Sequence, residues 1–550
     1  MPIQNLTPNN GGGLAFKTDD WSRLDRFISL GAEQTYYVGR REIAKQNYEV
    51  VKRCLAEDGM RTVARIAEFS TTGRAYRNES AIFALAVACA YATGAAKKHA
   101  LESIVSVCRT GTHILHFCEY IQHMRGWGRS LRRAVADWYL LRSPEHLAFQ
   151  AIKYQQRDGW KHRDVLRLCH PETVDNDKEA VLRWMVGGKN ALPERQVRRG
   201  AALDAPLVTY HATNAVPAVI EACEEAKTAT VPRLCALIRE HNLPREAVPT
   251  ERLNERVVWD ALLDKMPLTA MLRNLGKMTN IKLLEPMCAQ SHQVVAALSD
   301  TAALRRSRIH PLGVLIALKQ YSLGHGLKGN LTWTPVPAIV DALDAAFYES
   351  FHNLTPINKP VLLAVDVSGS MSAPLTSTPV ISCSEAAAAM AMALAKKESN
   401  YFIMGFDDGI RDLGISKSMR LDTVLKKISN INCGGTDCSL PMKWAREQHI
   451  DVGGFVVVTD NETNTGARTA PQELAKYRHI RITDARQVVI GMTATDVTVA
   501  DPNDPLALDV AGFDAGAAGV VSDFIRGSQL EPGTQEDTAE EKPAEETEAE

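Results

Sequence analysis

Residues 366–370 read Asp-Val-Ser-Gly-Ser, and their alternation places Asp366, Ser368 and Ser370 on one side of the chain as it leaves an apolar run. Two later stretches carry the same kinds of atoms: "CGGTDCS" contains Thr436, and "VVVTDNE" contains Asp460. Two carboxylates and three hydroxyls are all hard oxygen donors. Together they suit a hard divalent cation, magnesium above all. That ion keeps some of its waters and leaves a coordination position for a partner's carboxylate or phosphate. The glycines before Thr436 permit the tight backbone that brings a distant hydroxyl in. The competing reading is that each Ser or Asp merely caps a helix or a turn.

A second set of residues points to polyanions. In "AIKYQQRDGWKHRDVLRLCH", Lys153 and Arg157 are spaced one helical turn apart, and after an Asp-Gly break Arg163 and Arg167 repeat that spacing. Tyr154, Trp160, His162 and His170 are interleaved, and cations in register with planar side chains suit phosphates and unstacked bases. Arg129, Arg132 and Arg133 in "GWGRSLRRAVADWY" add a further basic stripe opposite Leu131, Val135 and Trp138. A solvated helix face over buried aromatics is the plain alternative for any one such stripe.

Different elements must position the two sets. From residue 361 onward short apolar runs (361–365, 401–406, 455–459, 487–492) alternate with helical segments, which predicts a parallel sheet with helices on both faces. Ligands on such sheets bind at the carboxyl ends of the strands, where Asp366 and Asp460 fall. The first 360 residues instead show helical periodicity, as in "MPLTAMLRNLGKM", broken by Gly and Pro. A stack of antiparallel helix pairs of the HEAT type is the expected architecture.

Charge follows the same division. The net charge of −2 hides 47 basic against 36 acidic residues in 1–360, while 361–527 hold 15 against 20. Residues 528–550 carry nine acids and one lysine, so a disordered acidic tail is expected there. A basic front suggests a polyanionic partner. The eleven cysteines are scattered without a CxxC pair, which argues against a disulfide framework and for a reducing, cytoplasmic setting. Neither a secretory leader nor a membrane span is expected.

The five donors, in the order DxSxS, GGTD and strand-terminal TD, resemble the metal-ion-dependent adhesion site of von Willebrand factor A domains. With "LDRFISLGAEQTYY", "RIHPLGVLIAL", "GHGLKGNLTW", "LDAAFY" and "GGTDCSLPMKWA", the chain resembles the Ro autoantigen family of ribonucleoproteins over roughly residues 16–525. The resemblance implies a flexible start (1–15), a TROVE ring of HEAT-like helices (16–358) and a von Willebrand A domain (359–527) before the tail. It implies small non-coding Y RNAs on the outer surface, with Lys153, Arg157 and His170 at positions implicated in that contact. Single-stranded 3′ ends of misfolded RNAs would enter the central hole, and an exoribonuclease or another protein could meet the metal site.

Three functions compete. A non-catalytic RNA-binding scaffold accounts for the basic front and the metal site together. A metal-dependent protein-adhesion scaffold without RNA accounts for the back alone. A metal-dependent hydrolase lacks an evident base or second metal, and "GGKN" at 187–190 lacks the spacing of a phosphate-binding loop.

Overall fold

The structure is a computed structural model. It describes residues 6–527 apart from 32–34, 36, 189–194, 199–206, 211–214, 308, 328, 352–353, 376–379 and 432–433. The acidic segment 528–550 therefore lies outside the described residues.

The front of the chain is helical from Asp20–Leu30 to Pro337–Glu349. Helix Arg129–Leu140 has the stripe read from its periodicity: Leu131, Val135 and Trp138 are buried, while Arg129, Arg132 and Arg133 are exposed. Caps set the starts. Thr110 and Ser143 accept hydrogen bonds from the amides of His113 and His146, and Pro144 occupies the first turn of its helix. The helical layers pack in sequence and close on themselves. Tyr76, after the third helix, lies against His310 at the start of Pro311–Leu323, with ring centroids 5.3 Å apart.

Four small strands interrupt the helices: β1 (Leu6–Pro8) pairs with β2 (Leu14–Lys17), and β3 (Gln156–Arg157) with β4 (Trp160–Lys161). A further hairpin joins β5 (Arg195–Arg198) to β6 (Leu207–Tyr210). The back of the chain is built on β7 (Val361–Asp366), β8 (Tyr401–Phe406), β9 (Ile410–Asp412), β10 (Gly454–Thr459), β11 (Arg486–Gly491), β12 (Val497–Thr498) and β13 (Ala507–Ala511). Six of these form one sheet in the order β13-β11-β10-β7-β8-β9, parallel except at the β9 edge. Every residue of β7 and β10 is buried, which is why these strands read as unbroken apolar runs rather than alternating ones. The crossovers leave β7 in opposite directions, to β8 on one side and ultimately to β10 on the other. The carboxyl ends of β7 and β10 therefore flank the switch point of the sheet.

One boundary needs correction. A flexible start is expected over residues 1–15, yet from Leu6 onward the chain is a docked hairpin. β2 pairs with β12 of the α/β domain (Lys17 with Val497, Phe16 with Thr498), and Ala15 and Phe16 are buried. The partner strand lies nearly the whole chain away, so no local pattern announces it.

The helical module meets the α/β domain at both its ends. At the start, Arg26 is fully buried. It donates to both oxygens of Asp509 at 2.6 and 2.7 Å, and to the carbonyls of Thr495 and Val497. At the far end, Lys319 pairs with Glu385, Asp341 with Arg420, and Asp344 accepts from the Leu421 amide at 2.7 Å. Among the described residues no helix is long and apolar enough to cross a membrane, and all the described cysteines are free thiols.

Candidate metal centre and nucleic-acid interface

β7 ends in Asp366, and the next turn folds the chain over the sheet edge. The Ser368 amide donates to Asp366 Oδ1 at 2.9 Å, and the Ser368 and Ser370 hydroxyls are 3.3 Å apart. From the neighbouring strand, Thr459 Oγ1 donates to Asp366 Oδ2 at 2.5 Å. Asp460 follows it, with its Oδ1 accepting from the Glu462 amide at 3.1 Å. The Gly369 amide donates to the Gly434 carbonyl at 3.2 Å, which draws the Thr436 loop onto the same edge. That loop is in turn tied to the Asp460 loop. The Asn464 carboxamide accepts from the Thr436 amide at 2.7 Å, and Thr463 Oγ1 donates to the Thr436 carbonyl at 3.0 Å.

All five expected donors are almost fully buried here: Asp366, Ser368, Ser370, Thr436 and Asp460 expose 0–4% of their surface. Burial raises the Asp366 carboxyl well above the ordinary carboxylate range, and the nearby charge of Asp460 raises it further; hydrogen bonds from Ser368 and Thr459 oppose this. Burial likewise raises Asp460, against a hydrogen bond from the Ser370 hydroxyl. Among the described residues, the side chains that donate to these two carboxylates are hydroxyls and none is cationic. Two buried carboxylates that repel each other, ringed by hydroxyls, lack a compensating positive charge. A divalent cation supplies one, so the residues present fit such an ion.

The basic set is arranged differently from its sequence spacing. Helix Pro144–Lys153 stops at Lys153, so Lys153 and Arg157 do not share a helix face. Arg157 sits in β3 instead, and the Asp158 and Gly159 that follow it both have positive φ (48° and 83°), the signature of a tight two-residue hairpin turn into β4. Lys153 is half-buried, with its ammonium 5.4 and 5.5 Å from the Phe149 and Tyr154 ring centroids. Burial lowers its pKa; Glu246 acts against this, and Arg273 adds to it. Lys153 therefore faces the segment around Glu246 and Arg273, whereas Arg157 is exposed, with its Nε 3.4 Å from His116 Nε2.

The hairpin that carries Arg157 is pinned to helix Gly111–Met124. His116 Nδ1 hydrogen-bonds the Asp158 carboxylate, and Trp160 Nε1 donates to Glu119 at 2.9 Å. The Trp160 ring leans on Trp127, centroids 6.0 Å apart. Beyond it, helix His162–Cys169 presents Arg163 and Arg167 to solvent and ends at an exposed His170 in the left-handed conformation. His162, grouped with the planar side chains by its sequence position, is instead a core residue. It is bonded to the Tyr139 hydroxyl at 3.0 Å, stacked near Trp138, and lowered to about 4 by burial. This helix packs on Arg129–Leu140, so the two arginine sets occupy adjoining helices.

Residues 7–215 and 240–323 match the TROVE domain family, and residues 360–525 match the Ro60 vWA domain. A Deinococcus radiodurans protein named RNA-binding protein RO60 is 37% identical over 523 residues, covering 94% of this chain and 95% of its own length. The chain belongs to the Ro60 family. A Caenorhabditis elegans protein of the same name is 33% identical over 583 residues, covering 94% of this chain and 90% of its own. The crystal structure of the Deinococcus radiodurans RO (RSR) protein matches with a TM-score of 0.67 at 37% identity, over 92% of this chain and 100% of that one.

Three features of this Ro60-family chain escaped the motif reading. Thr459 supplies a hydroxyl to Asp366 from within a strand that reads as plain β-structure. His116 and Asp158 lie 42 residues apart and meet only in the fold. The "NNGGG" turn at 9–13 reads as an ordinary flexible start but reaches the loop that follows Asp460.

Proposed function

We propose that this chain is a non-catalytic RNA-binding scaffold. It takes small structured non-coding RNA of the Y type on its basic outer helices, and single-stranded 3′ ends of misfolded RNA within the closed helical module. Its role is RNA quality control and ribonucleoprotein assembly in the cytoplasm. The carrying observation is the exposed cationic surface formed by Arg129, Arg132 and Arg133, the pinned Arg157 hairpin, Arg163, Arg167 and His170. It occurs in a family whose relatives, matched over nearly their whole length, bear the name RNA-binding protein.

Asp366, Ser368, Ser370, Thr436 and Asp460 would hold magnesium, with Thr459 fixing Asp366. The bound ion supplies positive charge to two buried carboxylates and an open coordination position for an acidic side chain of a protein partner such as an exoribonuclease. A metal-dependent adhesion scaffold without RNA is the second reading, favoured by how fully the centre is built within the α/β domain.

A filter-binding series over a range of salt, with one structured RNA and one single strand, separates the two. Log affinity should fall steeply with log salt, since phosphate contacts release counterions. Replacing Arg163 and Arg167 by alanine should flatten the slope for the structured RNA by up to about 1.8 units, two cations at roughly 0.9 each. Absence of RNA binding by the unaltered chain removes the scaffold reading and leaves adhesion.

A further inference from the structure

The loops that carry the metal-centre donors are gripped by the other end of the chain. The turn between β1 and β2 lies over residues 462–463. The Asn9 carboxamide donates to the Thr463 carbonyl at 2.7 Å, the Asn10 carboxamide to Glu462 Oε1 at 2.7 Å, and the Gly11 amide to Glu462 Oε2 at 3.1 Å. The approach is close enough that only glycine fits at position 13. A Cβ there would lie 2.0 Å from the Thr463 carbonyl oxygen, and one at Gly11 would lie 3.1 Å from that of Glu462. Both oxygens of a fully buried carboxylate are thus satisfied from the N-terminal turn.

The residues so gripped are those that hold the donors. The Glu462 amide donates to Asp460 Oδ1, Thr463 Oγ1 and the Asn464 carboxamide hold Thr436, and the Thr436 loop reaches the Ser368–Ser370 turn through Gly434 and Gly369. The same hairpin runs through β2, paired with β12, into helix Asp20–Leu30, whose Arg26 is anchored on Asp509. One loop, 460–464, is therefore shared by the metal centre and by the joint that fastens the start of the helical module to the α/β domain.

We infer that the Asn9–Gly13 turn is a positioning strap for the cation centre, so that cation occupancy and docking of the N-terminal hairpin stabilise each other. This rests on the magnesium reading of Asp366 and Asp460. The side chains of Asn9, Asn10 and Glu462 fix the loop that carries Asp460, and hold its carboxylate only through the Glu462 amide. Loss of such outer partners costs about 10–100-fold in metal affinity. Reciprocity then requires the ion to favour hairpin docking by the same factor.

The test uses the full chain. Magnesium is titrated by calorimetry into the unaltered protein, into Asn10→Ala, and into Thr7→Ala, which changes the hairpin away from the loop. Asn10→Ala should bind about 10–100-fold more weakly, and Thr7→Ala as the unaltered chain does. Asn10→Asp combined with Glu462→Gln exchanges donor and acceptor at the same hydrogen bond and should recover much of the affinity. In hydrogen exchange, amides of residues 6–17 should be slowed by saturating magnesium in the unaltered chain and not in Asp460→Ala. Binding by the unaltered chain, together with unchanged affinity in Asn10→Ala and unchanged exchange at 6–17, overturns the strap and leaves the metal centre standing. Absence of magnesium binding by the unaltered chain overturns the metal reading and the strap with it.

Discussion

Arg26→Met isolates the joint between the two modules. The methionine keeps much of the aliphatic volume but removes four hydrogen bonds: two to Asp509, and two to the Thr495 and Val497 carbonyls. Arg26 is fully buried and the Asp509 side chain is 14% exposed, so little water reaches the groups left behind. Thr498 Oγ1 still donates to Asp509, but no positive charge replaces the guanidinium there. Removing one partner of a buried pair costs about 3–5 kcal/mol, and the partial exposure of Asp509 places this case near the lower end. Because a chain of two modules need not unfold in one step, the readout should be local. Hydrogen exchange at Phe16, Lys17, Val497 and Thr498, the β2–β12 pairing, reports opening of the joint. A cost of about 3 kcal/mol corresponds to opening on the order of 10²-fold more often, with amides inside β7 and β10 unaffected. Arg26→Met combined with Asp509→Leu should recover part of the loss, since no buried charge is stranded. Unchanged exchange along β2 and β12 in the single variant would refute the view that this ion pair fastens the modules.

Four further outcomes follow from the geometry. Asp366→Ala and Asp460→Ala should each abolish magnesium binding in calorimetry while RNA binding largely survives, because each removes a charged oxygen from a centre that has only two. Arg157→Ala should weaken structured RNA more than Lys153→Ala does, because Arg157 is exposed and Lys153 is half-buried; equal effects of the two variants in filter binding count against this ranking. Asp158→Asn weakens the clamp on His116 and should lower affinity for structured RNA with little change in salt slope, since no cation is lost. Burial lowers His113 and His310 to about 3 and His162 to about 4, against 6.5 unfolded. The unfolded chain therefore binds more protons between these values, and stability is lost as pH falls below about 6.5, by about 2 kcal/mol per histidine at pH 5. His310→Asn keeps a capping side chain before Pro311, and denaturant midpoints measured from pH 7 to 5 should fall less steeply in it.

The parts of this protein that obey local periodicity were legible in the sequence. The apolar stripe of Arg129–Leu140, the four buried strands that build the sheet core, and the order of Asp366, Ser368, Ser370, Thr436 and Asp460 along their loops all follow from side-chain spacing on a helix or strand. The motif resemblance pointed to the family that the comparisons establish. Spacing misled where the backbone changed course. Lys153 and Arg157 are four residues apart, but the helix ends at Lys153 and Arg157 already lies in a strand, and His162 keeps its sequence neighbours while turning into the core.

Only the tertiary structure joined the ends. Asn10 meets Glu462 across 452 residues and Arg26 meets Asp509 across 483, and no periodic signal spans such separations. A hydrogen bond between distant segments depends on where the folded modules place them. It leaves no mark on composition or spacing beyond a short polar residue, a glycine or a lone arginine. For that reason the candidate donors could be picked out from the sequence, while the hydrogen bonds from the Asn9–Gly13 turn to their loop could not.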